Sequence, residues 1–401
     1  MATLLRLFGG LTEFNPKPLF DSSMLSNFAV RFTKEDIGKI NEEIYRRKQA
    51  AMDAFTSDSD DNAGGNGKSN EESGTVEDGG KPKNKGKLIL DATVAPADIR
   101  YPTDLSLLNE CREGTEKIID DVWDKTEREG HKTAYSRKRA RKEYLKIAKQ
   151  RKPRKKQIRN AVREQLECVE KNVVALEGIL AKIGLESFGY NNWARLLTIE
   201  EIAGQQRQHY DNPGELIPNR IVSVRQPHVR PIVRGKAGSE VEFGQKISLS
   251  VVDGYTFIEE QSWDNFAEGI TLKASAEKYM ERHGVYPEAI LADKTYRNRY
   301  NINYCKEHGI RLSRPRLGRP KASEIEADKE QAHKDSCERN MVEGRIGISK
   351  QRYGLDRIYA RLEQTGEVEA AMNVLSMNVA HVLRTLLQRL ILSENPALRK
   401  S

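Results

Sequence analysis

Two short stretches decide how this chain is read: Lys87-Leu88-Ile89-Leu90-Asp91-Ala92-Thr93-Val94 and Ala289-Ile290-Leu291-Ala292-Asp293. In each, consecutive aliphatic residues predict a strand buried on both faces, as in the middle of a covered sheet. Each apolar run then stops at an aspartate. A carboxylate at the C-terminal end of a buried strand lies where open α/β sheets place their sites. If the two strands are neighbours and parallel, the carboxylates meet at one sheet edge, and their repulsion calls for a divalent cation. The alternative is a pair of turn or N-cap aspartates, which strand ends also favour.

The surrounding pattern extends this sheet. Thr33 can cap a helix over Lys34–Met52, with Ile37, Ile40 and Ile44 on one face. From Thr56 to Gly86 only Ala63 and Val76 are apolar, which predicts a disordered linker. Gly67-Lys68-Ser69 imitates the end of a P-loop, but Asn62 stands where its first glycine belongs and no strand precedes it. About a hundred helical residues follow the first strand. Val162, Leu166, Val169, Val173, Leu176, Leu180 and Ile183 form a seam there, for a partner helix around Leu108, Ile118, Val122 and Trp123. After Pro218, Lys246–Val252 and Tyr255–Ile258 flank Asp253-Gly254, a hairpin signal. Helix and strand then alternate through the second aspartate to the loop Ser313–Lys321, and two helices close the chain. The last carries Val368, Met372, Leu375, Val379, Val382, Leu386 and Leu390 on one stripe. The fold class is mixed α/β, a sheet with helices on its faces.

Composition excludes several function classes. The 401 residues include 37% hydrophobic and 31% charged side chains, and the mean hydropathy is −0.70. No apolar run approaches a membrane span, and the N-terminus lacks a signal-peptide pattern. The four cysteines form no C-x-x-C and the seven histidines show no metal spacing. A cytoplasmic setting, without a membrane partner, is expected. The net charge of +8 is unevenly spread: Lys132–Arg163 holds fifteen Lys/Arg against Glu143 alone, +14 locally and −6 elsewhere. Pro153 should divide this run into helices Ser136–Gln150 and Arg154–Ile183. Arg137, Lys138, Arg139, Arg141, Lys142, Arg151, Lys152, Arg154, Lys155, Lys156 and Arg159 form a candidate phosphate-gripping surface, sequence-tolerant and suited to DNA.

A third element bears on the aspartates. In the helical stretch from Arg339 to Lys350, Arg339, Glu343 and Lys350 line one face, although Gly344 and Gly347 weaken the helix. Alone this reads as a solvated ion-pair row. With two aspartates it fits a hard-cation site flanked by cations that grip phosphate. Asp253, Glu242, Asp264 and Asp98 lack the strand-end context and read as structural. Trp263 could stack on an unpaired base, but core packing is the better reading.

Five segments together resemble a DDE transposase: Ile89–Asp104, Gln226–Pro231, Val241–Gly244, Leu291–Arg297, and Arg339 through Leu355. The resemblance is to bacterial insertion sequences of the insertion-sequence-five group and runs from about Phe14 onward. It implies a ribonuclease-H-like catalytic core interrupted by a large all-helical insertion, with a small helical N-terminal segment. It also implies Asp91, Asp293 and Glu343 as the catalytic, metal-holding acids, two Mg²⁺ or Mn²⁺ ions, and Arg339 and Lys350 as DNA-binding cations. Asp91 would bridge both ions. Strand cleavage at transposon ends would be followed by attack of the freed 3′-hydroxyl on target DNA. The implied partners are terminal inverted repeats and target DNA, the implied assembly a homodimer on DNA, and the implied location the bacterial nucleoid. Ser336 stands where the family often has a tyrosine, three residues before Arg339. The expected layout is a helical segment at 1–55, a linker at 56–86, core at 87–103, the basic insertion at 104–215, core again at 216–393 and a tail at 394–401. The first segment is expected to be a shortened DNA-recognition region. The alternative function is a catalytically silent DNA-binding protein derived from such an element.

Overall fold

The structure is a computed structural model that describes residues 27–60, 83–123, 132–184, 186, 188–236, 239–313 and 325–394, with the backbone alone at 52–60, 234–240, 325–328 and 389–394. The chain divides into two compact units. One joins the chain up to Pro96 with Gln245 onward; the other spans Ala97–Gly244.

In the first unit the central strand is β1 (Lys87–Pro96), buried along most of its length. With β2 (Arg230–Lys236) assigned to the second unit, β3 (Ser239–Val252) and β4 (Tyr255–Ser262) form the predicted hairpin. Asp253 (φ 49°) and Gly254 (φ 77°) both take the left-handed conformation that a two-residue primed turn requires. On the other side of β1, β5 (Ala289–Leu291) and β6 (Arg311–Leu312) run parallel to it in turn. The order across this sheet is β4-β3-β1-β5-β6.

Alternation along the strands sends successive side chains to opposite faces. Leu88, Leu90, Val252, Tyr255, Ile290 and Ala292 bury together with Leu272, Ala276 and Tyr279 of α6 (Thr271–His283). Ile89, Val251, Ala289 and Leu291 bury on the other face against Val342 of α8 (Ile325–Tyr353). Further along, Ala95, Ile247 and Leu249 meet Ala370 and Val374 of α9 (Glu363–Glu394). The N-terminal helix α1 (Lys34–Asp60) packs on α9 through Ile37, Val368 and Ala371. It runs past Met52, so residues 56–60, expected as linker, are helical: extending a formed helix adds a hydrogen bond per residue fixed. Residues 61–82 of the expected linker lie outside the described residues. Trp263 is 4% exposed, and a Cβ on Gly366 would stand 2.8 Å from its ring. It is a core residue.

The second unit is mainly helical: α2 (Asp104–Trp123), α3 (Arg137–Ala148), α4 (Lys155–Ile183) and α5 (Tyr190–Asp211), with β2 paired to the first part of β3. The predicted seam forms, with Val162, Leu166 and Val169 buried alongside Leu108, and Leu176 and Leu180 alongside Ile118 and Val122. Ile221 and Val224 bury with these helices, which is why the compact unit extends beyond the expected 104–215. Arg112, 1% exposed, donates to Gln165 at 2.9 Å, Asn109 at 2.8 Å and Glu116 at 2.5 Å. No helix among the described residues is long and apolar enough to cross a membrane.

Candidate active site

β1 and β5 pair in parallel with Lys87 opposite Ala289, Leu88 opposite Ile290 and Ile89 opposite Leu291. Asp91 follows Ile89 by two residues in β1, and Asp293 follows Leu291 by two residues in the chain, just beyond the paired segment. Because side chains alternate along β1, Asp91 shares the face of Ile89, the face that α8 covers. Only one aspartate ends its strand as expected. β1 continues to Pro96, so Asp91 is its fifth residue, whereas Asp293 follows β5 and opens a single 3₁₀ turn, Lys294–Tyr296. The extension follows from Ala92–Ala95, four further buried residues that keep the strand inside the sheet. Asp293 is also the N-cap of that turn, its Oδ1 accepting from Lys294 N–H at 2.6 Å, so the capping alternative and the site reading coexist on one residue.

The third acid arrives on α8. That helix is continuous through Gly344 and Gly347, with no heavy atom within 4 Å of a Cβ on either. Its seat is fixed by Val342, fully buried against the sheet, and by two ion pairs. Arg311 of β6 grips Asp335 through two hydrogen bonds of 2.6 and 3.0 Å. Lys87 at the start of β1 meets Glu338 at 2.7 Å. Glu343, one residue past Val342, is exposed, and its Oε1 accepts from Arg339 Nη2 at 3.0 Å. Lys350 lies about two turns beyond on the same helix and is half-buried. Burial holds the Asp91 carboxyl above the ordinary range, reinforced by Glu268 and Glu343 and opposed by the Ala92 N–H and Arg339. The α8 glutamate and arginine are therefore electrostatic neighbours of Asp91.

A further acid, Glu268, joins this neighbourhood without any sequence motif to announce it. It stands in a 3₁₀ turn, Glu268–Ile270, packed against the turn that follows Asp293. Its Oε2 accepts from Thr295 Oγ1 at 3.4 Å, and its Oε1 lies 3.2 Å from Nζ of the largely buried Lys246. Lys246 also donates to the Phe266 carbonyl at 2.9 Å. Asn301, 1% exposed, joins the two turns by donating to Gly269 O at 2.7 Å and Tyr296 O at 2.8 Å. Gly269 is required there, since a Cβ would lie 2.8 Å from Thr295 O. The signal in sequence is faint: a single glutamate before a glycine in a loop.

The candidate donors are carboxylate oxygens alone, the ligand chemistry of a hard divalent cation. Asp91 has two further carboxylates as neighbours, an excess of negative charge that such a cation relieves, so the residues fit in kind. Among the described residues no three His, Cys, Asp or Glu side chains are drawn together closely enough to hold a metal ion. Glu343 is engaged by Arg339 instead.

The basic run lies in the second unit and sorts into two groups. Arg137 pairs with Asp120 at 2.8 Å. Arg159 donates to the Tyr210 carbonyl at 3.0 Å and lies 4.1 Å over its ring. Both are engaged within the unit. Lys138, Arg139, Arg141, Lys142, Arg151, Lys152, Arg154, Lys155 and Lys156 are exposed on α3, on the first turn of α4 and on the link between them, and none makes an ion pair among the described residues.

No curated protein and no solved structure matches the chain. Residues 290–380 match the family model described as a transposase DDE domain, a span that contains Asp293, Arg339, Glu343 and Lys350 and supports a transposase.

Proposed function

We propose that this chain is a DNA transposase that cuts strands at transposon ends and joins them to target DNA, and that its catalytic unit is a ribonuclease-H-like core interrupted by the helical unit. The observation that supports this reading is the parallel pairing of β1 with β5, the strand that carries Asp91 and the strand that Asp293 follows, on a face packed against the helix of Glu343. The strand order β4-β3-β1-β5-β6, an antiparallel hairpin beside three parallel strands, supports the core assignment. Membership of the insertion-sequence-five group, a homodimer on DNA and location at the bacterial nucleoid belong to the same proposal.

Asp91, Asp293 and Glu343 would hold two Mg²⁺ or Mn²⁺ ions, which when bound supply Lewis acidity toward the scissile phosphate and lower the pKa of an attacking water. The rest is the work of the chain. Arg339 holds Glu343 in reserve, and on meeting a DNA phosphate the guanidinium exchanges one anion for another and frees the carboxylate. Lys350 supplies a second cation on the same helix. The exposed cations of α3 and α4 grip the backbone without reading bases.

The test is Mg²⁺-dependent nicking of a duplex that carries the element's terminal inverted repeats, followed by assay for products joined to a target plasmid. Wild type is expected to nick and join, and Asp293→Ala to do neither. If wild type nicks no better than Asp293→Ala, the chain is the silent DNA-binding alternative.

A further inference from the structure

The tip of the β3–β4 hairpin gathers cations from three helices of the first unit. Arg345 Nη2 of α8 and His381 Nε2 of α9 stand 3.2 and 3.1 Å from the place a Cβ on Gly254 would fill. His381 meets the Tyr255 ring edge-on, centroids 5.3 Å apart, and Lys48 Nζ of α1 lies 4.5 Å from the centre of that ring. Arg384 is one turn on from His381. Tyr255 is fully buried, yet among the described residues its hydroxyl has no hydrogen-bond partner.

Among the described residues no carboxylate is hydrogen-bonded or ion-paired to Arg345, His381 or Arg384. Burial and then Arg384 lower the Arg345 pKa, against Tyr353 and Tyr255. Burial, then Arg345, Lys48 and Arg384, hold His381 down at about 4. Asp253, in the turn itself, is engaged by the Tyr45 hydroxyl at 3.1 Å. Like charges in a half-buried place repel unless an anion joins them. A planar guanidinium and an imidazole converging on a bare glycine turn suit the several oxygens of a phosphate.

We propose that Arg345, His381 and Arg384 form a phosphate-binding site at this hairpin tip, separate from the three acids. Arg345 and Glu343 leave α8 on opposite flanks of the Val342–Ile346 stripe, about 160° apart at roughly 100° per residue. The phosphate is an internucleotide phosphate of bound DNA; this choice of source rests on the transposase reading, while the site itself does not.

Full-length wild type, Arg345→Gln and Arg384→Gln are compared in two assays. The first is thermal unfolding in phosphate-free buffer and with added inorganic phosphate at matched ionic strength. Wild type is expected to gain stability with phosphate and both variants to lose most of that gain. Arg345→Gln without phosphate should be at least as stable as wild type, because it removes repulsion. The second is affinity for duplex DNA against salt concentration: each variant should bind roughly threefold to tenfold more weakly, with the logarithmic salt slope reduced by about one. A wild type indifferent to phosphate, or an Arg345→Gln that is itself destabilised while Arg384→Gln responds to phosphate as wild type does, overturns the site. A phosphate gain lost in the variants with DNA affinity unchanged sustains the site and overturns DNA as its source. Loss of nicking in wild type, with the phosphate response intact, rejects the transposase reading and leaves the site standing.

Discussion

Asp91 and Asp293 each lie two residues beyond the paired residues Ile89 and Leu291, Asp91 still within β1 and Asp293 just past β5. They are separated by about two hundred residues of chain, so neither local sequence nor a turn brings them together. The parallel pairing of β1 with β5 joins the two segments that carry them, and alternation along β1 sets Asp91 on the face of α8. Asp91→Asn and Asp293→Asn should each reduce single-turnover nicking by on the order of a hundredfold or more while leaving DNA affinity near that of wild type. An equal loss of affinity and nicking would assign the pair to binding.

Lys246 and Glu268 form a nearly buried pair, their side chains 11% and 25% exposed. Lys246→Met leaves Glu268 uncompensated beside Asp91 and should lower folding stability by about 2 kcal/mol, discounted from the 3–5 kcal/mol of a fully buried pair because Glu268 retains some solvent. Adding Glu268→Gln should restore part of that loss. Chemical denaturation of the single and double variants measures the coupling.

Gly269 touches the backbone of the turn that carries Asp293. Gly269→Ala must displace Thr295 O, 2.8 Å from the new Cβ, at a cost of about 1–3 kcal/mol. Because that turn follows Asp293 directly, nicking should fall by more than the loss of folded protein explains. Activity normalised to the folded fraction checks this.

His228 and His381, one in each unit, are both held down from 6.5 to about 4, by burial first and then by nearby cations. A histidine depressed in the folded state binds protons less well than in the unfolded chain, so its contribution is present above the unfolded value and lost as pH falls through the folded one. Stability should therefore decline between about pH 6.5 and 4 through these groups. Replacing both with glutamine should flatten that part of the curve, measured by denaturant midpoints across the range.

The basic helices separate anchors from grips. Neutralising Lys138, Arg139, Arg141 and Lys142 together should weaken DNA binding and reduce the salt slope by about 0.9 for each phosphate that is no longer neutralised. Folding stability should change by no more than about 0.5 kcal/mol per site. Arg159→Ala is expected to do the reverse, since its guanidinium ties α4 to the Tyr210 carbonyl and ring at the end of α5. Salt-dependent binding isotherms beside thermal melts distinguish the two.

Much of this molecule is written locally. The Asp253-Gly254 hairpin follows from the two residue types that tolerate positive φ, the α4 seam from its three- and four-residue steps, and the strands at Leu88 and Ile290 from unbroken aliphatic runs. The spacing of Arg339, Glu343 and Lys350 set them on one helical face whatever that helix packed against. Tertiary structure alone decided the rest. That β1 runs through Asp91 instead of ending there depends on Ala92–Ala95 finding neighbours in the sheet. That β1, with Asp91, lies beside β5, which leads into Asp293, depends on a pairing between distant strands. Glu268 and Lys246 reach the site because two short turns pack together, and Arg345, His381 and Lys48 converge because three helices close on one hairpin tip. Sequence periods fix which way a side chain faces along its own element; which charges become neighbours is fixed by the packing of elements far apart in the chain, and local sequence carries no record of it.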